Sequence, residues 1–378
     1  MAVVTLNRAI KYRAYPTEEQ AILFSKTFGC VRYIWNQMLG DCNRFYEETD
    51  CHFIPTPAKY KKQAPFLKEV DSLALTNTQL DLEGAFSAFF KKKGTGFPKF
   101  KSRKKSKSSY TTNCQVSMKK DGTKSFTVYV HGNYIRLPKV GDVRIVKHRS
   151  PKNGWKLKSA TVERKPSGKY YISVLYEIQK DIPSVDVKDA IGLDYSSPDF
   201  YVDSNNDRAN YPRYYRKAEE RLAREQRKLS HMKYGSFNYL KQKDKVARIH
   251  ERVANQRRDF CHKLSTAITK RYDAVFVEDI NLRGLAGSLH LGKSTNDNGF
   301  GMFREMLEYK LAEQGKVFRK VERLYASSQI CSACGEKNPV TRDLSVREWT
   351  CPHCGVHHDR DHNAANNVLH RGLELLSQ

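Results

Sequence analysis

The hydrophobic rhythm of the chain changes several times, and each change marks an element. Residues 5–14 mix apolar and basic positions in a pattern that predicts a strand. Pro16 ends it, and Thr17 with Gln20 three positions on predicts a capped helix start. Apolar residues then recur at Phe24, Phe28, Val31, Trp35 and Met38, a helical spacing interrupted by Gly29, and a second helical stretch carries Leu82, Phe86, Phe89 and Phe90. Both stripes are expected to be core. From about residue 110 to 178 the pattern shortens to alternation, with hairpin signals at Lys120-Asp121-Gly122-Thr123 and Pro166-Ser167-Gly168-Lys169. This predicts a small antiparallel barrel or sandwich, completed by the strand at 5–14 and interrupted by the helices of 17–90. Ile182-Pro183-Ser184 reads as the linker to the next domain.

The second half reads differently. Two strands are predicted between Asp189 and Asp203, turning at Ser196-Ser197-Pro198. Residues 212–270 are highly charged and helical, with a break near Tyr234-Gly235-Ser236. The run Ala274-Val275-Phe276-Val277 predicts a strand that ends on Glu278, just as Ala190-Ile191-Gly192-Leu193 ends on Asp194. Gly287, Gly292, Gly299 and Gly301 punctuate a polar segment around Ser294-Thr295-Asn296-Asp297, a candidate mobile loop. Phe303, Met306, Leu307 and Leu311 predict a helix, Val317 to Leu324 a strand, and the last helix is expected to start near Ala364.

Charge narrows the partners. A 378-residue chain with a formal net charge of +26 suits a polyanion, either nucleic acid or an anionic membrane surface. No stretch is apolar for the roughly 18 residues a spanning helix needs, and the N-terminal residues do not read as a signal peptide. The positive charge is densest in a lysine-rich loop, where Lys91, Lys92, Lys93, Lys99, Lys101, Arg103, Lys104, Lys105 and Lys107 occur with no acid among them. Phe97 and Phe100 sit within that loop, so it reads as an element that grips a nucleic-acid backbone, against the simpler reading of a solvated basic loop.

Four of the nine cysteines carry the sharpest motif. Cys331, Cys334, Cys351 and Cys354 form a C-x2-C-x16-C-x2-C cassette, the spacing of two zinc knuckles. Four protein ligands close a tetrahedron, so this zinc is expected to be structural, with His353, His357 and His358 as bystanders. Cys30, Cys42, Cys51, Cys114 and Cys261 are scattered and odd in number, which suits a reducing compartment better than a disulfide framework.

The carboxylates carry the chemistry as a set. Hydrolysing a phosphodiester needs an activated water and charge relief on the attacking and leaving oxygens, which two magnesium ions about 3.5–4 Å apart provide. Acids at two strand ends and one helix start can converge on one sheet edge. Asp194 and Glu278 are two of them. Asp359 and Asp361 compete for the third role, Asp361 being nearer a helix that Asn363 could cap.

Gly192-Leu193-Asp194, Val277-Glu278-Asp279, Ser328-Gln329-Ile330-Cys331-Ser332-Ala333-Cys334-Gly335 and Asp359-Arg360-Asp361-His362-Asn363-Ala364-Ala365-Asn366-Asn367-Val368 together resemble the TnpB family of transposon-encoded, RNA-guided DNA nucleases. Tyr15-Pro16-Thr17, Phe28-Gly29-Cys30-Val31-Arg32 with Asn36, and Phe97-Pro98-Lys99-Phe100-Lys101 extend the resemblance to nearly the whole chain. It implies an α/β plus β fold class: a RuvC-like nuclease domain of RNase H fold (184–330 and 355–378) with a zinc-ribbon insertion (331–354). A wedge-like β-barrel domain (1–16 and 108–183) with a helical recognition insertion (17–107) comes before it. It also implies Asp194, Glu278 and Asp361 as the catalytic magnesium ligands, structural zinc, a transposon-derived guide RNA and double-stranded target DNA. A cytoplasmic monomer without membrane attachment is the corresponding expectation. Two other functions fit the same residues: an RNA-guided DNA-binding protein that does not cut, against which the intact acids speak, and a transposase that joins DNA ends. A CRISPR effector would share the chemistry with a different guide source.

Overall fold

The structure is a computed structural model and describes residues 2–118, 122–281, 284, 297, 299–323, 325–343 and 345–377. Lys120 and Asp121 of the first hairpin turn, all of the polar segment from Gly287 to Asn296, and Leu324 lie outside the described residues. The chain divides into two compact units, Val3–Lys180 and Asp181–Gln378. Among the described residues no helix is long and apolar enough to cross a membrane.

The first unit opens with β1 (Ala2–Tyr15) and α1 (Glu18–Thr49). At the helix start the Thr17 hydroxyl accepts from the Gln20 backbone N–H at 3.3 Å, and the Gln20 side-chain carbonyl accepts from the Thr17 N–H at 3.1 Å. This reciprocal pair satisfies two otherwise orphaned donors, as the spacing predicts. The helix runs through Gly29 without a break. Two 3-10 turns (Pro57–Lys61 and Pro65–Lys68) lead to α2 (Ser72–Lys91). Eight strands come next: β2 (Ser108–Asn113), β3 (Val116–Met118), β4 (Lys124–Phe126), β5 (Tyr129–His131), β6 (Tyr134–Leu137), β7 (Gly141–Val146), β8 (Lys156–Arg164) and β9 (Tyr170–Ile182). Seven strands make one sheet in the order β2-β8-β9-β1-β7-β6-β5, with β1 inside it. Phe24 and Phe28 of α1 join the apolar face of this sheet, while Trp35 and Met38 join Leu82 and Phe86 in a helical core. Phe90 departs from the core expectation: it lies in the last turn of α2, 67% exposed, with its ring against His52, Phe86 and Phe89.

The second unit begins with the antiparallel pair β10 (Ala190–Ser196) and β11 (Phe200–Asp203). The charged region forms a helical hairpin, α3 (Tyr214–Ser230) and α4 (Phe237–Arg271), broken where Gly235 takes a left-handed conformation. Then come β12 (Ala274–Glu278), α5 (Phe300–Ala312), β13 (Val317–Val321), the small hairpin β14 (Glu348–Thr350) with β15 (His357–Asp359), and α6 (Arg360–Ser377). The main sheet has the order β11-β10-β12-β13, with β10, β12 and β13 parallel.

Strand alternation splits this sheet between two cores. Ile191, Leu193, Val275 and Val277 pack with α4 and α5, whereas Ala274 and Phe276 pack with Val368 and Leu369 of α6. A parallel sheet covered on both faces needs such apolar runs. Helix α6 lies directly on β10 at Gly192. A Cβ there would overlap the Ala365 carbonyl and stand 2.6 Å from the Leu369 amide nitrogen. Gly192→Ala is therefore expected to destabilise the protein by about 1–3 kcal/mol, the usual penalty for overpacking. Gly29→Ala, in a helix with nothing within 4 Å of its Cβ position, is expected to stabilise by about 0.5–1 kcal/mol. Thermal unfolding of both variants checks the pair; equal shifts would contradict the close-packing account.

Candidate active site

The same alternation aims the two strand-end acids. The parallel register pairs Gly192 with Phe276 and Leu193 with Val277, so Asp194 and Glu278 come next as neighbours on adjacent strands. By parity they share the face of Gly192 and Phe276, which is the face covered by α6. That helix starts at Arg360, earlier than the Ala364 region, because Asp359 caps it: its Oδ1 accepts from the His362 N–H at 2.8 Å. Asn363 is not the cap. It is buried inside the helix, where its Oδ1 accepts from the Ser332 N–H at 2.8 Å and its amide donates to the Ile330 carbonyl at 2.7 Å. Asn367, one turn on, donates to the Ser327 and Ile330 carbonyls. Asp361 therefore lies in the first helical turn, where the helix dipole favours a negative charge.

The electrostatics bring the three acids together. Burial pushes the Asp194 carboxyl well above the usual range, and the facing charges of Glu278 and Asp361 push it further, against the Arg360 guanidinium. Burial also raises Glu278, as does the neighbouring Asp279. Burial raises Asp361, opposed most by Arg347. A carboxyl whose folded pKa exceeds its unfolded value withdraws stability as pH rises from the unfolded value through the folded one. Ionising these groups costs the metal-free fold, and a nearby cation would offset that cost. Two strand-end carboxylates and one in the first turn of α6 offer hard oxygens of the kind magnesium takes.

Arginines surround the site, and the pattern of the sequence did not single them out. Arg208 pairs with Asp199 at 2.8 Å and with Asp359 at 3.2 Å, so Asp359 is engaged both as a cap and as an ion-pair partner. Arg347 stands 3.6 Å from Asp361. Arg304 donates to the Glu278 carbonyl at 3.3 Å, and Arg323 holds Asp279 at 3.2 Å, which fixes the chain just after β12.

The four cysteines converge as their spacing predicts. Their sulfurs all lie within 4.8 Å of one another, with Cys331 and Cys354 at 3.6 Å and Cys334 and Cys351 at 3.7 Å. Zinc–sulfur bonds of about 2.3 Å place tetrahedral sulfurs about 3.8 Å apart, so the cluster fits that ion. The two knuckles are built alike. Gly335 N–H donates to the Cys331 carbonyl and Gly355 N–H to the Cys351 carbonyl, each at 2.9 Å, with φ of 80° and 75° that favour glycine. Backbone N–H groups of Cys354 and His353 hold the Cys351 thiol down at about 6, which favours the thiolate. His358 is not one of the four clustered ligands, but it is buried beside them, with Nε2 3.1 Å from the Cys331 sulfur and its ring against Trp349. Thr350 holds His357 at 3.1 Å on the outer side.

The lysine-rich loop belongs to the first unit. Lys91, Lys92, Lys93, Lys99, Arg103, Lys104, Lys105 and Lys107 are exposed. Lys101 is half-buried, its ammonium 3.4 Å from the centroid of the Trp35 ring. The loop is fastened to α1: Trp35 Nε1 donates to the Lys99 carbonyl at 3.0 Å, and Asn36 pairs with both backbone groups of Lys101 at 2.7 and 2.9 Å. Phe97 packs edge-on against Phe86 and Phe89. These anchors give the loop a fixed course.

Comparison with known proteins places this geometry in context. A family model described as "Probable transposase" matches residues 173–289, one described as "Cas12f1-like, TNB domain" matches 300–368, and one described as "Helix-turn-helix domain" matches 1–51. The chain is 35% identical over 376 residues to a Streptomyces pristinaespiralis protein named "Putative RNA-guided DNA endonuclease", covering 97% of this chain and 90% of that protein. It is 28% identical over 393 residues to an Escherichia coli (strain K12) protein named "Putative RNA-guided DNA endonuclease InsQ", covering 98% and 93%. In fold it is similar to a chain of the cryo-EM structure of the Cas12f1–sgRNA–target DNA complex, with a TM-score of 0.55 at 14% identity over 96% of this chain and 98% of that one.

Since Asn363 and Asn367 tie the cysteine module to α6, loss of its metal should be felt beyond the module. Cys351→Ser is expected to lose about one zinc per chain and to lower the unfolding temperature markedly. Elemental analysis and thermal unfolding check this; protein without zinc whose Cys351→Ser variant melts like the parent would contradict it.

Proposed function

The chain belongs to the TnpB family, and from that premise we propose that it is an RNA-guided DNA endonuclease that cleaves DNA beside a short flanking motif. What supports the reading is the placement of Asp194 and Glu278 at the ends of two paired parallel strands, with the charge of Asp361, in the first turn of α6, felt at Asp194. A guide RNA pairs with one DNA strand, and the protein holds the resulting duplex by its backbone. The net charge of +26 serves that task, since each lysine or arginine on a phosphate releases counterions. Residues 184–330 and 355–378 form the RuvC-like nuclease domain, 331–354 the zinc ribbon, 1–16 and 108–183 the wedge-like domain, and 17–107 the recognition insertion. The anchored loop from Lys91 to Lys107 grips the nucleic-acid backbone. The protein works as a cytoplasmic monomer on the nucleoid.

Magnesium, when bound, supplies an activated water and charge relief on the oxygens entering and leaving phosphorus. Asp194, Glu278 and Asp361 would hold it with hard oxygen donors, and their partial burial would keep those donors from bulk water. The engagement of Asp359 as a helix cap and as a partner of Arg208 supports Asp361 as the third ligand. Arg208 and Arg347 bring positive charge to the mouth of the site, where a phosphate arrives. The four cysteines hold a structural zinc with no open position.

Replacing Asp361 by Asn is expected to reduce guide-dependent cleavage by several orders of magnitude with little loss of target affinity. Asp194→Asn and Glu278→Gln should behave alike, Asp359→Asn more mildly, and calcium should support binding without cutting. Because all three carboxyls titrate above their ordinary values, cleavage should decline as pH falls, and rising magnesium should shift that decline to lower pH. Cleavage rate and target affinity, measured for each variant across pH and in both ions, test the reading. A fully active Asp361→Asn beside an inactive Asp359→Asn would overturn the ligand assignment.

A further inference from the structure

The tip of the α3–α4 hairpin takes no part in the carboxylate site, yet it presents large apolar side chains. Tyr234 is 71% exposed, Phe237 72% and Leu240 50%. Single exposed hydrophobics need no explanation, but a cluster on one tip does. The Tyr234 ring packs on Tyr239 at 5.0 Å, but neighbouring residues make the turn itself. Gly235 supplies the left-handed residue, and Ser236 caps α4 by accepting from the Tyr239 N–H at 3.2 Å. The two helices are held together farther down by Leu222, Val246 and Ile249.

The surroundings of the tip are strongly basic. Lys228, Lys233, Lys241, Lys243, Lys245 and Arg248 flank it in sequence, and the Lys241 ammonium lies 4.4 Å from the centre of the Phe237 ring. Of the two nearby acids, Glu225 is buried, bonded to Gln242 and paired with Lys245 at 3.0 Å, which leaves Asp244. Exposed rings within a field of positive charge match a partner that offers flat π faces between phosphates. A second copy of this chain would bring the same positive charge and be repelled. A DNA duplex keeps its base faces stacked inside, whereas RNA loops splay theirs outward.

We infer that this tip is a base-stacking contact: Tyr234 and Phe237 stack on unpaired bases of the bound RNA while the adjacent lysines hold its phosphates. This rests on the reading that the protein carries RNA, and it adds a contact site far along the chain from the lysine-rich loop. Aromatic stacking of this kind is sequence-tolerant and contributes to affinity base by base.

The test uses the full chain and the RNA that copurifies with it, stripped and labelled for rebinding. The double variant Tyr234→Ser/Phe237→Ser should bind this RNA about tenfold or more weakly. The salt dependence of binding should stay the same, because no charge is lost, whereas Lys233→Gln/Lys241→Gln should flatten it. Tyr234→Leu/Phe237→Leu keeps apolar volume without π faces; it should show the same loss, and it decides the matter if the serine variant does not fold. RNA affinity within twofold of the parent for the leucine pair would overturn the inference. So would an equal loss of affinity for duplex DNA, or a loss of self-association with RNA binding intact. Absence of any copurifying RNA would instead sink the functional reading and this inference with it; retained RNA with unaltered affinity sinks the tip alone.

Discussion

Helix α6 lies so close on β10 that a side chain at position 192 cannot be accommodated. The rest of the second unit depends on that contact. It sets the first turn of α6 beside the ends of two parallel strands, and each of these three places carries an acid. Burial, and after it the like charges of Glu278 and Asp361, make the Asp194 carboxyl resist ionisation most. The fold tolerates the arrangement because other contacts hold α6 in place. Asp359 closes the helix start, and Asn363 and Asn367 bind the chain that leads into the cysteine module. On the proposed reading a cation would complete this site, and the cost of holding the acids together without one is the trade functional sites make against stability.

The cysteine module is bound into the same construction. Ser332, inside the first knuckle, donates its N–H to Asn363, two residues beyond Asp361. Arg347 comes from the strand region between the knuckles and reaches Asp361 itself, while its backbone carbonyl accepts from the Arg360 N–H at 2.8 Å. A closed metal cluster is a rigid object, and anchoring a flexible acid to it restricts where that acid can go. On the proposed reading this gives a physical reason for the four-cysteine module to stand next to Asp361.

Much of this could be read from the residues, and the exceptions have identifiable causes. Strands that end on acids, the capping box at Thr17 and the paired knuckles are local patterns, and local patterns survive folding. The start of α6 was not legible, since Asp359-Arg360-Asp361 reads equally well as extended chain; only the bond from the His362 N–H shows which acid is the cap. Asn363, a plausible cap from its position, is instead a buried bridge between segments far apart in sequence. Lys101 looked like its neighbours in the basic loop, but Trp35 and Asn36 draw it inward. The ring of arginines depends on tertiary contacts throughout. In each case a long-range partner decided what periodicity could not.

The most direct test of the account is to locate the cation. Crystals of the protein with its RNA, soaked in manganese as a stand-in for magnesium, can be measured at the manganese absorption edge. The account predicts anomalous density held jointly by Asp194, Glu278 and Asp361, with Arg347 displaced from Asp361. Absence of density there, or density held by Asp359 while Asp361 keeps its pairing with Arg347, would contradict it.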